Sequence, residues 1–345
     1  MWWVSKRRIA GRWTAVKFAA ALTCIAVVVG VFLALSNCCY GECRRLKLFQ
    51  TDGVTAGQSV KMSTAATSTV TAEAFRGRII HDYDQVKTDV DANSIRCVNT
   101  RASGMTFPIC VYEATEDVWV SKSFIGGGYF EQGLVGRFVD RLRHSPDLEL
   151  VDLGANIGTF TLPAARIAHV VAVEPYSKSM ARLMKSVKLG GVERNVSLVF
   201  NAISNERSTF KLGFYTGNVG GTYLKASDAT DCGQGSCTET ILLDDILPLM
   251  RGRRAIMKVD VEAHQHRVFT NKTASKFFEA IDVPFILMEW NLCKSAQDVG
   301  SEIHDLIRFF TSRRYQIFAE DERRLHGPDC RQWSGNIVLK KQLDI

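Results

Sequence analysis

The chain has 345 residues, 46% of them hydrophobic and 23% charged, a balance that suits a packed globular protein and excludes wholesale disorder or a fibrous repeat. Its formal net charge of +7 sits in the first 47 residues, where eight bases face one acid; the remaining 298 residues carry 35 bases and 35 acids. A neutral body lacks the positive stripe of a nucleic-acid-binding domain, so no nucleic-acid partner is expected.

Residues 1–17 read as a basic cytosolic tail. From Phe18 to Leu35 no charge interrupts F-A-A-A-L-T-C-I-A-V-V-V-G-V-F-L-A-L. As a helix that run would rise about 27 Å, close to the bilayer's hydrocarbon thickness of about 30 Å. Lys6, Arg7, Arg8, Arg12 and Lys17 precede it, and Trp2, Trp3 and Trp13 suit an interfacial belt. Residues 18–36 are therefore expected to be a type II signal anchor, with the body on the lumenal side of a Golgi or ER membrane. Ala34 and Ser36 also fit a signal-peptidase site and a secreted product, but the run exceeds the roughly 7–15 apolar residues of a signal peptide core. Residues 37–75, rich in Ser, Thr, Ala and Gly over Thr51–Thr71, read as a stem.

Six cysteines remain in the body, and short loops favour the pairs Cys97–Cys110 and Cys232–Cys237, leaving Cys293–Cys330. The sequons Asn195-Val196-Ser197 and Asn271-Lys272-Thr273 are compatible with a lumenal body. No spacing resembles a zinc ribbon or a redox C-x-x-C. Residues 76–117 read as an N-terminal extension, with a short hairpin around Cys97 and Cys110.

From 118 to 345 the chain alternates between strand and helix patterns, the signature of an α/β, doubly wound, mostly parallel sheet. Strands are predicted at 149–153, 170–174, 197–202, 255–259 and 285–289, with helices at 159–168, 177–189 and 302–312. Two final strands at 315–319 and 336–340 have no helix between them and should close the sheet as an antiparallel hairpin. A polar, glycine-rich insertion spans 204–240.

The most informative stretch is V-D-L-G-A-N-I-G-T-F, Val151–Phe160. Asp152 ends the first strand, Gly154 opens the turn, and Gly158 lets the next helix start close against the sheet. The dinucleotide pattern G-x-G-x-x-G is absent, because Asn156 stands where a second glycine would let pyrophosphate touch the backbone. That argues against a nicotinamide or flavin dinucleotide and allows a cofactor without phosphate, such as S-adenosylmethionine. Asp152 would face its ammonium group, and the helix start would favour its carboxylate. Glu174 closes the second strand 22 residues after Asp152, where an acid accepts ribose hydroxyls. Asn201 and Ala202, after the third strand, would lie near the adenine.

Residues 118–340 resemble the FkbM-type methyltransferases, a branch of the S-adenosylmethionine-dependent Rossmann-like class with a seven-stranded sheet. The matching pieces are G-G-Y-F-E (127–131), the glycine motif, V-E-P (173–175), L-D-D-I-L (243–247) and M-K-V-D-V-E-A-H-Q (257–265). The resemblance implies O-methylation of sugars or other hydroxyl-bearing acceptors. The family usually has Gly at the place of Ala263 and Glu at the place of Gln265.

An alcohol oxygen is a weak nucleophile, so a general base is expected. Asp260, Glu262 and His264 follow the fourth strand, with Glu262 or His264 as base and Asp260 as a positioning group. If the chain stays extended, Asp260 and Glu262 share a side. Glu131 is expected to close over the cofactor. Glu289 ends the fifth strand, where it could meet the acceptor. D-x-E-x-H could also hold a divalent ion, though no metal is assigned. A glycosyltransferase, suggested by the topology and the D-x-D triplets at 82–84 and 89–91, and a methyltransferase-like binding module without turnover are the competing readings.

Overall fold

Strands buried on both faces must be apolar at nearly every position, and the predicted strands are of that kind. The computed structural model describes residues 79–80, 91–225, 232, 237–290, 300–326, 330, 333 and 335–342, all within one unit spanning 68–345. The predicted tail, membrane span and stem, Cys293, the triplet at 82–84 and most of that at 89–91 lie outside the described residues. Among the described residues no helix is long and apolar enough to cross a membrane.

In chain order the elements begin with β1 (Ile79–Ile80), β2 (Cys97–Ala102) and β3 (Met105–Cys110), then α1 (Val120–Ile125) and α2 (Gln132–His144). There follow β4 (Leu148–Leu153), α3 (Thr161–Ala164), β5 (Val170–Val173), α4 (Ser177–Gly190), β6 (Val196–Val199) and β7 (Ala202–Ile203). Next come β8 (Thr209–Tyr215), β9 (Asn218–Lys225), β10 (Cys237–Ile241), β11 (Arg254–Val259), α5 (Gln265–Val268) and α6 (Ser275–Ala280). The chain closes with β12 (Asp282–Glu289), α7 (Ser301–Thr311), β13 (Tyr315–Ala319) and β14 (Asn336–Lys341).

The main sheet runs β1-β6-β5-β4-β11-β12-β14-β13. From β6 to β12 every neighbouring pair is parallel, β14 runs antiparallel to both β12 and β13, and β1 adds an antiparallel edge to β6. The seven strands after β1, with β14 alone reversed, make the Rossmann-like methyltransferase sheet. Alternation along the strands feeds two cores. Leu150, Val170 and Ala172 join one, whereas Val151, Val171 and Val173 join the other. The predicted hairpin exists as β2–β3, with Cys97 opposite Cys110 and bonded to it; Cys232–Cys237 is the second predicted disulfide. Cys330 is also disulfide-bonded.

Four details differ from expectation. The helix after the glycine turn is a single four-residue turn, because Pro163 lies inside it and the chain continues as isolated turns to Ala168. The third strand breaks after Val199, where its parallel partner β5 ends at Val173; Ala202 and Ile203 then pair with β10 instead. The insertion, read only as polar and glycine-rich, forms strands β8, β9 and β10, which with β7 make a four-stranded sheet, β7-β10-β8-β9. After β11 the chain does not stay extended: Glu262 and Ala263 are left-handed, at φ 47° and 64°. Ala263 thus occupies a conformation that glycine adopts freely, at a cost of about 1 kcal/mol.

Candidate active site

The carboxyl ends of β4, β5 and β11 converge at the glycine turn. Gly154 has φ +80°, and a Cβ there would stand 1.8 Å from the Asp260 carbonyl oxygen, so only glycine lets the turn touch the β11 loop. At Gly158, with φ +101°, a Cβ would stand 2.7 Å from Leu183 of α4, which explains the close helix approach read from the sequence.

Two cavities open there. The first, of about 630 Å³, is lined by Asn156, Glu174, Asn201, Ala202 and His264 among others. The second, of about 770 Å³, is lined by Glu131, Lys258, Glu289 and the aromatic rings of Trp119, Phe130 and Phe160. Asn156, Gly220, Asp260 and Glu262 line both and form the seam between them.

In the first cavity, the Glu174 carboxylate accepts from the backbone N–H groups of Asn156 and Tyr176, each at 2.8 Å. Burial pushes its pKa up to about 7, despite those two bonds. Asn201 is 1% exposed; its amide donates to the Glu239 carbonyl at 3.2 Å, and its Oδ1 has no partner. A buried orphan acceptor is costly unless a ligand donates to it. Asp152 lines neither cavity. It lies behind the turn, accepting from Thr161 Oγ1 at 2.6 Å and standing 3.8 Å from the Lys258 ammonium.

Lys258, to which the sequence reading gave no role, is the hub. Its buried ammonium donates to the Gly154 carbonyl at 2.6 Å and lies 3.4 Å from Asp260. Burial works against its charge, but Asp260, Asp152 and Glu131 outweigh that and raise its pKa. One ammonium therefore holds the glycine turn and the β11 carboxylate in a single cluster.

The second cavity gathers four carboxyl groups. Oxygens of Asp260, Glu262 and Glu289 all lie within 4.8 Å of one another, close enough to hold a divalent cation. Burial, then the charge of Asp260, pushes Glu262 up to about 7. Burial and the neighbouring Asp260 and Glu262 push Glu289 to about 9, so at neutral pH it is a protonated acid bonded to Asp260. Glu131 sits in this cavity rather than over the first, its pKa raised by burial.

His264 lies on the first cavity's side only. Its Nε2 is 2.8 Å from Ser204 Oγ, and burial lowers its pKa to about 4, so it is neutral. His266 turns away to Glu302, at 3.3 Å. Gln265 is buried outside both cavities and donates to the Glu289 carbonyl at 3.0 Å. The structure thus brings together Asp260, Glu262, Glu289, Glu131 and Lys258, and separately Asn156, Glu174, Asn201, Ala202 and His264. It leaves Asp152 and Gly158 in the supporting layer.

No family model and no curated protein sequence matches the chain. Among solved structures it is similar to a precorrin-6y C5,15-methyltransferase from Geobacter metallireducens, at 14% identity over 61% of this chain and 88% of that one, TM-score 0.32. An O-methyltransferase from Bacillus cereus in complex with SAH matches at 12% identity over 67% and 92%, TM-score 0.34. An rRNA methylase from Streptococcus thermophilus matches at 12% identity over 61% and 96%, TM-score 0.33. With scores so low, the fold stands on this chain's own strand order.

Proposed function

We propose that the chain is an S-adenosylmethionine-dependent O-methyltransferase of the FkbM type. In this reading it acts on a hydroxyl of a glycan or glycoconjugate, and an N-terminal span anchors it with its body lumenal. The observation that carries the chemistry is the seam of Asn156, Gly220, Asp260 and Glu262, where the cavity lined by Glu174 and Asn201 meets an acid-lined one.

The first cavity fits the cofactor by the chemistry of its donors and acceptors. Glu174 stands at the strand end to accept ribose hydroxyls, and the orphaned Asn201 Oδ1 can accept from an exocyclic amine. When bound, S-adenosylmethionine supplies a methyl group on a sulfonium whose leaving group is a neutral thioether. Holding both reactants in line is then much of the catalysis. Glu262 reaches both cavities, and with a pKa near 7 it can take the acceptor's proton. Burial and the neighbouring carboxyls favour the acid form of Glu289 beside Asp260, and Lys258, 3.4 Å from Asp260, holds that carboxyl in place. Gln265 stands outside both cavities, so the loss of the family's usual glutamate removes no group from them; this favours an enzyme over a silent binding module.

The test is incubation of the purified full-length protein with methyl-labelled S-adenosylmethionine and a panel of released glycans. Mass spectrometry should find the gain of one methyl group on a glycan, lost in Glu262→Gln. Cofactor binding with no gain on any acceptor would replace the enzyme by the binding module.

A further inference from the structure

Trp119 is 62% exposed and Tyr215 is 52% exposed. Large rings left in water forgo the stabilisation of burial, and exposed aromatics grouped at a cavity mouth mark a binding surface. These two belong to one such place. The start of α1 is laced to the β8–β9 turn by the Asp117–Asn218 bridge and by a bond of 3.0 Å from Val118 N–H to the Gly217 carbonyl. Trp119, Asn218 and Gly221 line the second cavity. Tyr215, which lines neither cavity, is paired with Asn218, and a Cβ on Gly221 would come within 2.9 Å of its ring, so Tyr215 stands beside two residues of that lining.

The ledge is rigid. Tyr215 and Tyr223 have ring centroids 4.9 Å apart at 35°, and the Tyr223 ring lies so close over Gly213 that a Cβ there would be 2.3 Å away. Rings fixed in advance bind with little loss of side-chain freedom. The charge of Glu262 reaches Tyr215, which ties the ledge to the carboxyl cluster.

An occupant must satisfy both halves. Inside, Glu131, Asp260, Glu262 and Glu289 against the single Lys258 call for many hydroxyl or amine groups. At the mouth, flat aromatic faces call for flat C–H-rich surfaces. A lipid chain would bury carboxyls against hydrocarbon, and a polyanion would meet like charge. Sugar rings present hydroxyls at their edges and C–H groups on their faces. We infer that Trp119 and Tyr215 form a subsite for a further sugar ring. The acceptor is then an extended oligosaccharide, neutral or amino-bearing and not anionic. This rests on the glycan reading above.

The experiment applies the purified full-length protein, saturated with S-adenosylhomocysteine, to a printed array of neutral, amino-bearing and anionic oligosaccharides of graded length. S-adenosylmethionine affinity is measured in parallel by calorimetry. The expected result is retention on neutral or amino-bearing chains of two or more rings. Trp119→Ala and Tyr215→Ala should each weaken it at least about tenfold, Trp119→Phe should largely keep it, and cofactor affinity should be unchanged. A blank array with intact cofactor binding overturns the subsite alone, as does preference for anionic chains, equal binding of single rings, or alanine variants that bind like the parent. Absence of cofactor binding in the parent would instead overturn the methyltransferase reading.

Discussion

Gly154 carries the tightest constraint in the site: a methyl group there would collide with the Asp260 carbonyl and would also need φ +80°. Gly154→Ala should destabilise the protein by about 2–4 kcal/mol, read as a shift in the denaturant midpoint. Glu262 makes a kinetic prediction. With its carboxylate as the proposed base and its pKa near 7, kcat should rise with pH through about 7 and level off above. Glu262→Gln should lower kcat about 100-fold or more and remove that limb of the profile. The glycine turn and Glu174 were legible in the sequence because a strand end, a turn and a second strand end are local features at fixed spacing. The role of Lys258 was not, since its partners Gly154, Asp152, Asp260 and Glu131 come from separate segments and meet only in the fold. The left-handed Ala263 was hinted at only by the resemblance, through the glycine the family carries there; alanine itself gives no sign of positive φ.

At the scale of elements, the β2–β3 hairpin is closed by Cys97–Cys110 across 13 residues, and α4 holds it through the Ser186 hydroxyl, which accepts from Cys110 N–H at 2.8 Å. Replacing both cysteines by alanine should cost about 3 kcal/mol, measured by urea unfolding. An unchanged midpoint would mean that the hairpin's packing on α4 suffices. At the amino ends of β4, β5 and β6, Glu149, His169 and Ser197 form a buried chain, with contacts of 2.7 and 3.0 Å. It has the residue types of a hydrolase triad, but it lies at the opposite end of the strands from both cavities, where it ties three neighbouring strands together. The central strands β4, β5 and β6 could be read from apolar runs, since they are buried at every position. The insertion could not. Its strands pair among themselves at the side of the main sheet and are only half buried, so no clean alternation marks them.

For the whole molecule, the crowded acids set the pH response. Glu174 and Glu262 titrate near 7 and Glu289 near 9, against an ordinary value of 4.5. Between pH 6.5 and 9 the folded state therefore binds more protons than the unfolded chain, and stability must fall as pH rises. His264, lowered to about 4 from 6.5, acts in the opposite direction, but only below pH 6.5. Calorimetric melting at pH 6.5 and 9 should show a lower Tm at the higher pH; a higher one would contradict the buried cluster. The parallel sheet and its closing antiparallel pair followed from the alternation of strand and helix patterns, whereas the order of the strands did not. The second cavity did not, because it is assembled from α1, the loop before α2, β9, β11 and β12.

The central claim is that the first cavity holds S-adenosylmethionine through Glu174 and Asn201. Isothermal titration of the purified full-length protein tests it most directly. The account predicts one-to-one binding of S-adenosylmethionine and S-adenosylhomocysteine, weakened at least about tenfold in Glu174→Ala and in Asn201→Leu. No heat at millimolar cofactor, or undiminished affinity in both variants, would contradict it.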